Sequence, residues 1–394
     1  MGVKPTIDTA QRRARLGQRH HLTPSARAAS AADVARGMVA LHATDPATVY
    51  LSIGARQIHA TVAEIERALY DEKQLIRMLG MRRTMFVVPT EFAAIVQAAC
   101  TLAIAALERR RTIQLFGTAG IADDLPAWLR EVEEQTFEAL GKRGKATAQQ
   151  LADAVPELKR QVRLAQGKSY AGVMGVSSRV LFQLSADGRI VRGRPRGSWI
   201  SGQYHWSRMD AWLAGGLREM SPSAAQTALI GAWLRSFGPG TLADIKWWTG
   251  LTLGEVRRAL HDLGAVEVDL GEASGWVLAD DVEPEVAYEP WVSLLPALDP
   301  TPMGFIDRAW FVGAHAAAIF DRTGNIGPSV WCDGRVVGGW AQRTNGTIAY
   351  KLLEDVGGEA ERAIERAAHD LGMWLSPVCV TPRFRTPLER ELSA

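Results

Sequence analysis

Residues 238–270 read GPGTLADIKWWTGLTLGEVRRALHDLGAVEVDL, and their punctuation decides the fold class. Thr241-x-x-Asp244 opens one helix and Thr252-x-x-Glu255 opens the next. In each, a hydroxyl and a carboxylate three residues apart pair the N–H groups that a helix start leaves free. Gly250 closes the first helix and Gly264 the second, because glycine alone enters the left-handed region without steric cost. Two helices with so short a join predict a helix-turn-helix. AVEVDLGEASGWVLA, 265–279, alternates behind it as a hairpin, which makes a winged helix.

The same pattern extends outward. Ser30-x-x-Asp33 starts a helix expected to run to about His42, and a second helix is expected over 46–57. Thr61-x-x-Glu64 caps a third, and LIRMLGMRRTMFVVP, 75–89, reads as a hairpin around Gly80. Thr147-x-x-Gln150 caps AQQLADAV, 148–155. A helix is then expected over YAGVMGVSSRVLFQLSADG, 170–188, followed by an arginine-rich hairpin, RIVRGRPRGSWISGQYHW, 189–206. From about 290 the texture changes. Gly-Asn, Asp-Gly and Asn-Gly turns between short apolar runs predict an antiparallel β unit, closed by a helix around 357–371 and a last strand over LSPVCVTPRFR, 375–385. The expected architecture is α+β and predominantly helical. It has three tandem winged-helix modules, 1–115, 116–215 and 216–289, followed by a β-barrel-like domain, 290–394.

Composition bounds the function classes. Hydrophobic residues make up 47% and charged residues 22% of 394, ordinary for a chain with real cores. The amino-terminal stretch lacks an apolar signal region, and no run of eighteen apolar residues is present, so no membrane span is expected. Cys100, Cys332 and Cys379 form no CxxC pair or metal spacing. The glycines form no phosphate-loop pattern. No metal, no nucleotide cofactor and a cytoplasmic location are the expectations. The net charge of +2 hides a strong asymmetry: residues 142–200 carry twelve basic and three acidic residues, whereas 261–290 carry nine acids and no Lys or Arg. The basic block points to a polyanionic partner; a solvated basic face is the alternative.

Five segments carry a resemblance: MVALHATDPATVYLSIGAR (38–56), LIRMLGMRRTMFVVP (75–89), SFGPGTLADIKWWTG (236–250), LLPALDPTPMGFIDR (294–308) and GNIGPSVWCDGRVVGGWAQR (324–343). Together they resemble the AlkZ/AlkX family of bacterial DNA glycosylases. The resemblance implies winged helices and a β-barrel around a concave DNA-binding face, and removal of N7-alkylated purines from double-stranded DNA. In some members it implies unhooking of interstrand crosslinks. It further implies a monomer at the nucleoid, without metal or organic cofactor. The family's catalytic motif, Gln, an apolar residue, then Gln or Asp, falls here on His42, Ala43 and Thr44, with Asp45 next. Both polar positions depart from the family pattern.

The residue types suit the chemistry. Alkylation at N7 makes the purine a cationic, activated leaving group, so the protein must orient one water and stabilise an oxocarbenium-like sugar. Neutral imidazole accepts a proton from water, a carboxylate stabilises positive charge, and a hydroxyl orients water. His42, Thr44 and Asp45 are therefore the catalytic candidates. The structural alternative has His42 on the apolar stripe of a helix and Asp45-Pro46 as a helix cap. Arg56, Arg82, Arg83, Thr84, Arg192, Arg194, Arg196, Arg308 and Arg343 are the DNA-contact candidates; Arg192, Arg194 and Arg196 alternate along a strand and share a face. Trp340-Ala341-Gln342 is a further candidate DNA-facing run, and one of Trp247 and Trp248 is expected in the core. The competing function is a winged-helix DNA-binding protein or regulator in which the glycosylase motif has decayed. Only bond cleavage separates the two.

Overall fold

The computed structural model describes residues 4–164, 172–284 and 289–394. In the first hundred residues the helix Thr9–Arg19 is followed by Ala31–Met38, whose first turn is capped by Ser30. This second helix does not reach His42. It stops at Val39, which takes φ 60° and ψ −49°, and Ala40 N–H returns to Met38 C=O at 2.6 Å. This tight three-residue turn is rare and strained for a β-branched residue. It redirects the chain into β1 (Leu41–His42), which pairs antiparallel with β3 (Thr84–Pro89); β3 in turn pairs with β2 (Leu75–Gly80). Sheet pairing of Leu41, His42 and Ala43 with the hairpin thus overrides the helical reading of 39–42.

The helix Pro46–Gly54 follows, and Thr61 and Glu64 complete a capping box for Val62–Glu66. The helical stretch 90–118 is long and apolar enough to cross a membrane by length and composition alone. Its first half packs Ala93, Val96, Ala99 and Cys100 into the core, and in its second half Glu108 holds Arg83, Arg111 and Arg179.

The helices Leu125–Arg143, Ala148–Ala154 and Val176–Ala186 surround a sheet of β4 (Lys145–Ala146), β7 (Ile190–Pro195) and β8 (Tyr204–Arg208), ordered β4-β8-β7. The expected helix over 170–188 begins only at Val176: Gly172–Gly175 form β6, which pairs with β5 (Gln161–Leu164). Two glycines among these four residues disfavour helix there. Lys168, part of the basic block, lies outside the described residues.

Next, Pro222–Phe237 packs against Leu242–Thr249 and Leu253–Asp262, and β9 (Val266–Asp269) with β10 (Ser274–Val277) completes the helix-turn-helix and hairpin. Gly250 at φ 74° makes the turn between the two helices. The last part contains β11 (Val292–Leu295), β12 (Ser329–Cys332), β13 (Arg335–Gln342) and β14 (Ile348–Leu352), an antiparallel meander in chain order. Its two outer strands do not pair with each other, so the expected barrel closure does not form among the described residues. Residues 375–385 are not a strand; Leu375 ends the helix Gly358–Leu375, and Pro377 and Pro382 remove two of the donors a strand would need. One apolar core runs from Leu16 through Trp233 and Phe237 to Trp331, Trp340 and Leu392. A second holds Phe116 to Trp206. His42 sits where the first hairpin meets that larger core.

Candidate functional site

His42 lies on β1 opposite Phe86, and its ring meets the Phe86 ring edge-on at 5.4 Å between centroids. It is 6% exposed. Its Nδ1 is sealed from solvent and has no hydrogen-bond partner among the described residues. Burial, and then the nearby Arg82 guanidinium, push the imidazole down to about 3, because both penalise an added positive charge. The ring is therefore neutral at physiological pH. The backbone after it is held by the first hairpin: Ala43 N–H bonds to Met85 C=O at 2.8 Å, and buried Arg77 donates to Ala43 C=O at 2.8 Å.

Thr44 is half-buried, and its carbonyl accepts from the Arg383 guanidinium at 3.4 Å. Asp45 is the N-cap of Pro46–Gly54. One carboxylate oxygen accepts from Ala47 N–H at 3.1 Å and the other from Arg383 N–H at 2.9 Å. Both oxygens are thus occupied by backbone donors, as the capping alternative requires. Arg383 is exposed and lies 338 residues away in sequence. The sequence reading missed it. Its only local signal was the basic pair Arg383-x-Arg385 between prolines.

The arginine candidates divide sharply. Arg56 is 0% exposed and binds both oxygens of Asp299 at 2.7 and 2.8 Å, with His20, Ser52 and Thr301 as further acceptors. It faces the core, not a ligand, because a charge this deep needs a full set of partners. Arg83 is half exposed but paired with Glu108 at 3.0 Å. Thr84 begins β3 beside it. Arg194 is paired with both Glu66 and Asp71. Arg192 lies over the Trp206 ring at 4.6 Å, and burial lowers it to about 10. Arg196 is exposed and its side chain makes no ion pair among the described residues. A break in strand register separates Arg192 from Pro195, so the three arginines do not form one even row. Trp340, Ala341 and Gln342 are buried; only Arg343 of that run is exposed.

Arg82 and Arg308 belong together. Their guanidinium carbons lie 3.7 and 5.1 Å from the centroid of the Trp247 ring. Trp248 is 3% exposed and is the core residue of that pair. Trp247 is half-buried and supports cations instead, which its spacing in the helix did not reveal.

A family model described as DNA glycosylase AlkZ-like matches residues 35–374. The chain belongs to that family. The matched span contains the His42 segment, the first hairpin and the Arg82–Trp247–Arg308 group. An "Interstrand DNA cross-link repair glycosylase" of Streptomyces sahachiroi is 30% identical over 171 residues, 41% of this chain. The match spans 45% of that relative's length, less than half. The solved structure of Streptomyces sahachiroi DNA glycosylase AlkZ superposes with a TM-score of 0.68 at 20% identity, covering 96% of this chain and 99% of that one. At that identity the likeness establishes the α+β fold.

Proposed function

We propose that this protein is a monofunctional DNA glycosylase that hydrolyses the N-glycosidic bond of N7-alkylated purines in duplex DNA, bulky adducts and interstrand crosslinks included. It acts as a cytoplasmic, nucleoid-associated monomer. On this reading 1–115, 116–215 and 216–289 are winged-helix modules that embrace DNA, and 290–394 completes the concave face. One observation supports the assignment to His42: a neutral imidazole, with a ring nitrogen that has no hydrogen-bond partner among the described residues, stands where the resemblance puts the motif, in a setting supplied with arginines 77, 82 and 383.

The C1′–N9 bond breaks with its electron pair leaving on the purine, which the N7 substituent makes neutral as it departs. Water oriented by His42 adds to C1′, and its proton is released to solvent. The products are the free alkylpurine and an abasic site. In the DNA-free protein the depressed pKa makes His42 a weak base, so it contributes mainly by orienting the water. Thr44 supplies a hydroxyl. Asp45 acts as a positioning residue through the helix it caps. Arg82, Arg196, Arg308, Arg343 and Arg383 are the available phosphate contacts.

The test is a duplex with a single N7-methylguanine, followed in parallel by a crosslinked duplex. Alkali-labile sites formed by the wild type and reduced about 10²-fold by His42→Ala support the assignment. Equal release by both proteins moves catalysis away from His42. Binding of both duplexes with release from neither replaces this function with that of a non-catalytic DNA-binding protein, a reading that the occupied Asp45 oxygens favour.

A further inference from the structure

Arg82 lies in the turn between β2 and β3, Trp247 on the helix Leu242–Thr249, and Arg308 in the segment that precedes Ala309–Val312. Three distant parts of the chain thus converge. Both guanidiniums lie over one indole at 3.7 and 5.1 Å, so their charges are within about 9 Å of each other. Neither forms an ion pair among the described residues. Arg82 Nε is buried and has no hydrogen-bond partner among the described residues. Arg308 uses Nε and one terminal nitrogen on the carbonyls of Phe305 and Gly324, at 2.9 and 2.8 Å, sets the other terminal nitrogen against Met303 Sδ at 3.6 Å, and also lies 5.0 Å from the Phe320 ring. The buried carboxylate of Asp244 exerts an electrostatic pull on Arg308 but spends its hydrogen bonds on Thr241 and on the N–H groups of Ile306 and Asp307.

Backbone strain marks the same place. Arg82 and Arg83 are consecutive left-handed residues, at φ 53° and 61°, a conformation that glycine or asparagine adopts at less cost. Two arginines held this way put side-chain chemistry ahead of turn economy. Two like charges, partly desolvated and held over one ring, have no carboxylate in direct ion-pair contact among the described residues, and Asp244 acts on Arg308 only from beyond that distance.

We infer that Arg82 and Arg308, splayed over Trp247, form a clamp for a single DNA phosphodiester beside the nucleotide presented to His42, with Trp247 as the positioning residue. The inference rests on the glycosylase reading and adds to it one phosphate, shared by two arginines from opposite ends of the chain. It has a consequence for His42: a phosphate docked on Arg82 offsets the cation that helps suppress imidazole protonation, so DNA docking strengthens the base.

The test uses the full-length protein and a set of duplexes around N7-methylguanine, each with one phosphate replaced by a neutral methylphosphonate. Affinity is measured against salt concentration. The wild type is expected to weaken about tenfold at one lesion-proximal phosphate. Arg82→Gln/Arg308→Gln is expected to be insensitive there, and its salt slope should fall by about 0.9, the equivalent of one phosphate. Trp247→Leu should lose the same position-specific effect with both cations retained, and Trp247→Phe should restore it. A slope change of about 1.8 for the double variant would mean two separate phosphates and overturn the shared clamp. Unchanged phosphonate sensitivity in the double variant would overturn it outright. Salt-independent or absent DNA binding by the wild type would instead remove the glycosylase reading itself, and the clamp with it. Melting curves identify any misfolded variant; the Phe and Leu pair then carries the comparison.

Discussion

The backbone N–H of Arg383 donates to Oδ2 of Asp45 at 2.9 Å, and the Arg383 side chain reaches Thr44 C=O at 3.4 Å. The segment after the last long helix is thus fastened to the His42–Asp45 segment. Asp45 cannot be the free carboxylate that its place in the sequence suggested, because its other oxygen caps Pro46–Gly54.

Asp45→Ala should therefore act on stability before chemistry. It removes a cap and the part-buried hydrogen bond from Arg383 N–H, a loss of about 1–2 kcal/mol. Urea unfolding reads this directly. Base release, measured well below the melting transition, should fall less than tenfold. A loss as large as that of His42→Ala with stability unchanged would restore Asp45 to a catalytic role.

His42 makes stability depend on pH. Its folded pKa is about 3 against 6.5 for the ordinary imidazole. Between those values the unfolded chain binds a proton that the folded chain refuses. Stability therefore rises with pH, and is lost as pH falls from 6.5 toward 3. At pH 5 the His42 share is about 2 kcal/mol. His20 and His21, also lowered chiefly by burial, add in the same direction. Unfolding free energies at pH 7 and pH 5 should differ less in His42→Gln than in the wild type; an identical difference would mean that the imidazole is protonated in the folded state.

Arg56 and Asp299 form a fully buried pair. Arg56→Ala strands a carboxylate and should cost about 3–5 kcal/mol. Arg56→Met, with Asp299→Leu, should recover much of that loss. Where the variants remain folded, the salt dependence of DNA binding should match the wild type, since this arginine does not reach the surface. A reduced slope would return it to the contact list.

Arg194 and Arg196 look equivalent in sequence and differ in the fold. Arg194 is held by Glu66 and Asp71, whereas Arg196 is exposed and unpaired among the described residues. Arg196→Gln should lower the salt slope by about 0.9 and Arg194→Gln by clearly less. Fluorescence titrations from low to moderate salt make the comparison; equal decrements would show that Arg194 leaves its acids on DNA.

Capping boxes at Thr61, Thr147, Thr241 and Thr252 were legible because their chemistry is local: a side chain three residues away meets the need. The hairpins at 75–89 and 266–277 were legible for a similar reason, since turn residues and alternation share one window. The element that holds His42 was misread. No local rule anticipates that Val39 will accept a strained turn so that Leu41 and His42 can pair with Val87 and Phe86. The barrel expectation failed similarly, because closure depends on whether the outer strands, β11 and β14, meet.

By itself the sequence determined where several helices begin, where charge accumulates and where the hairpins at 75–89 and 266–277 lie. Each depends on neighbours a few residues apart or on composition. Tertiary structure alone decided which arginines were free. Arg56, Arg83 and Arg194 found acids up to 243 residues away, while Arg82 and Arg308 found one indole. A guanidinium's availability depends on what lies within a few ångströms of it, and that distance is set by packing.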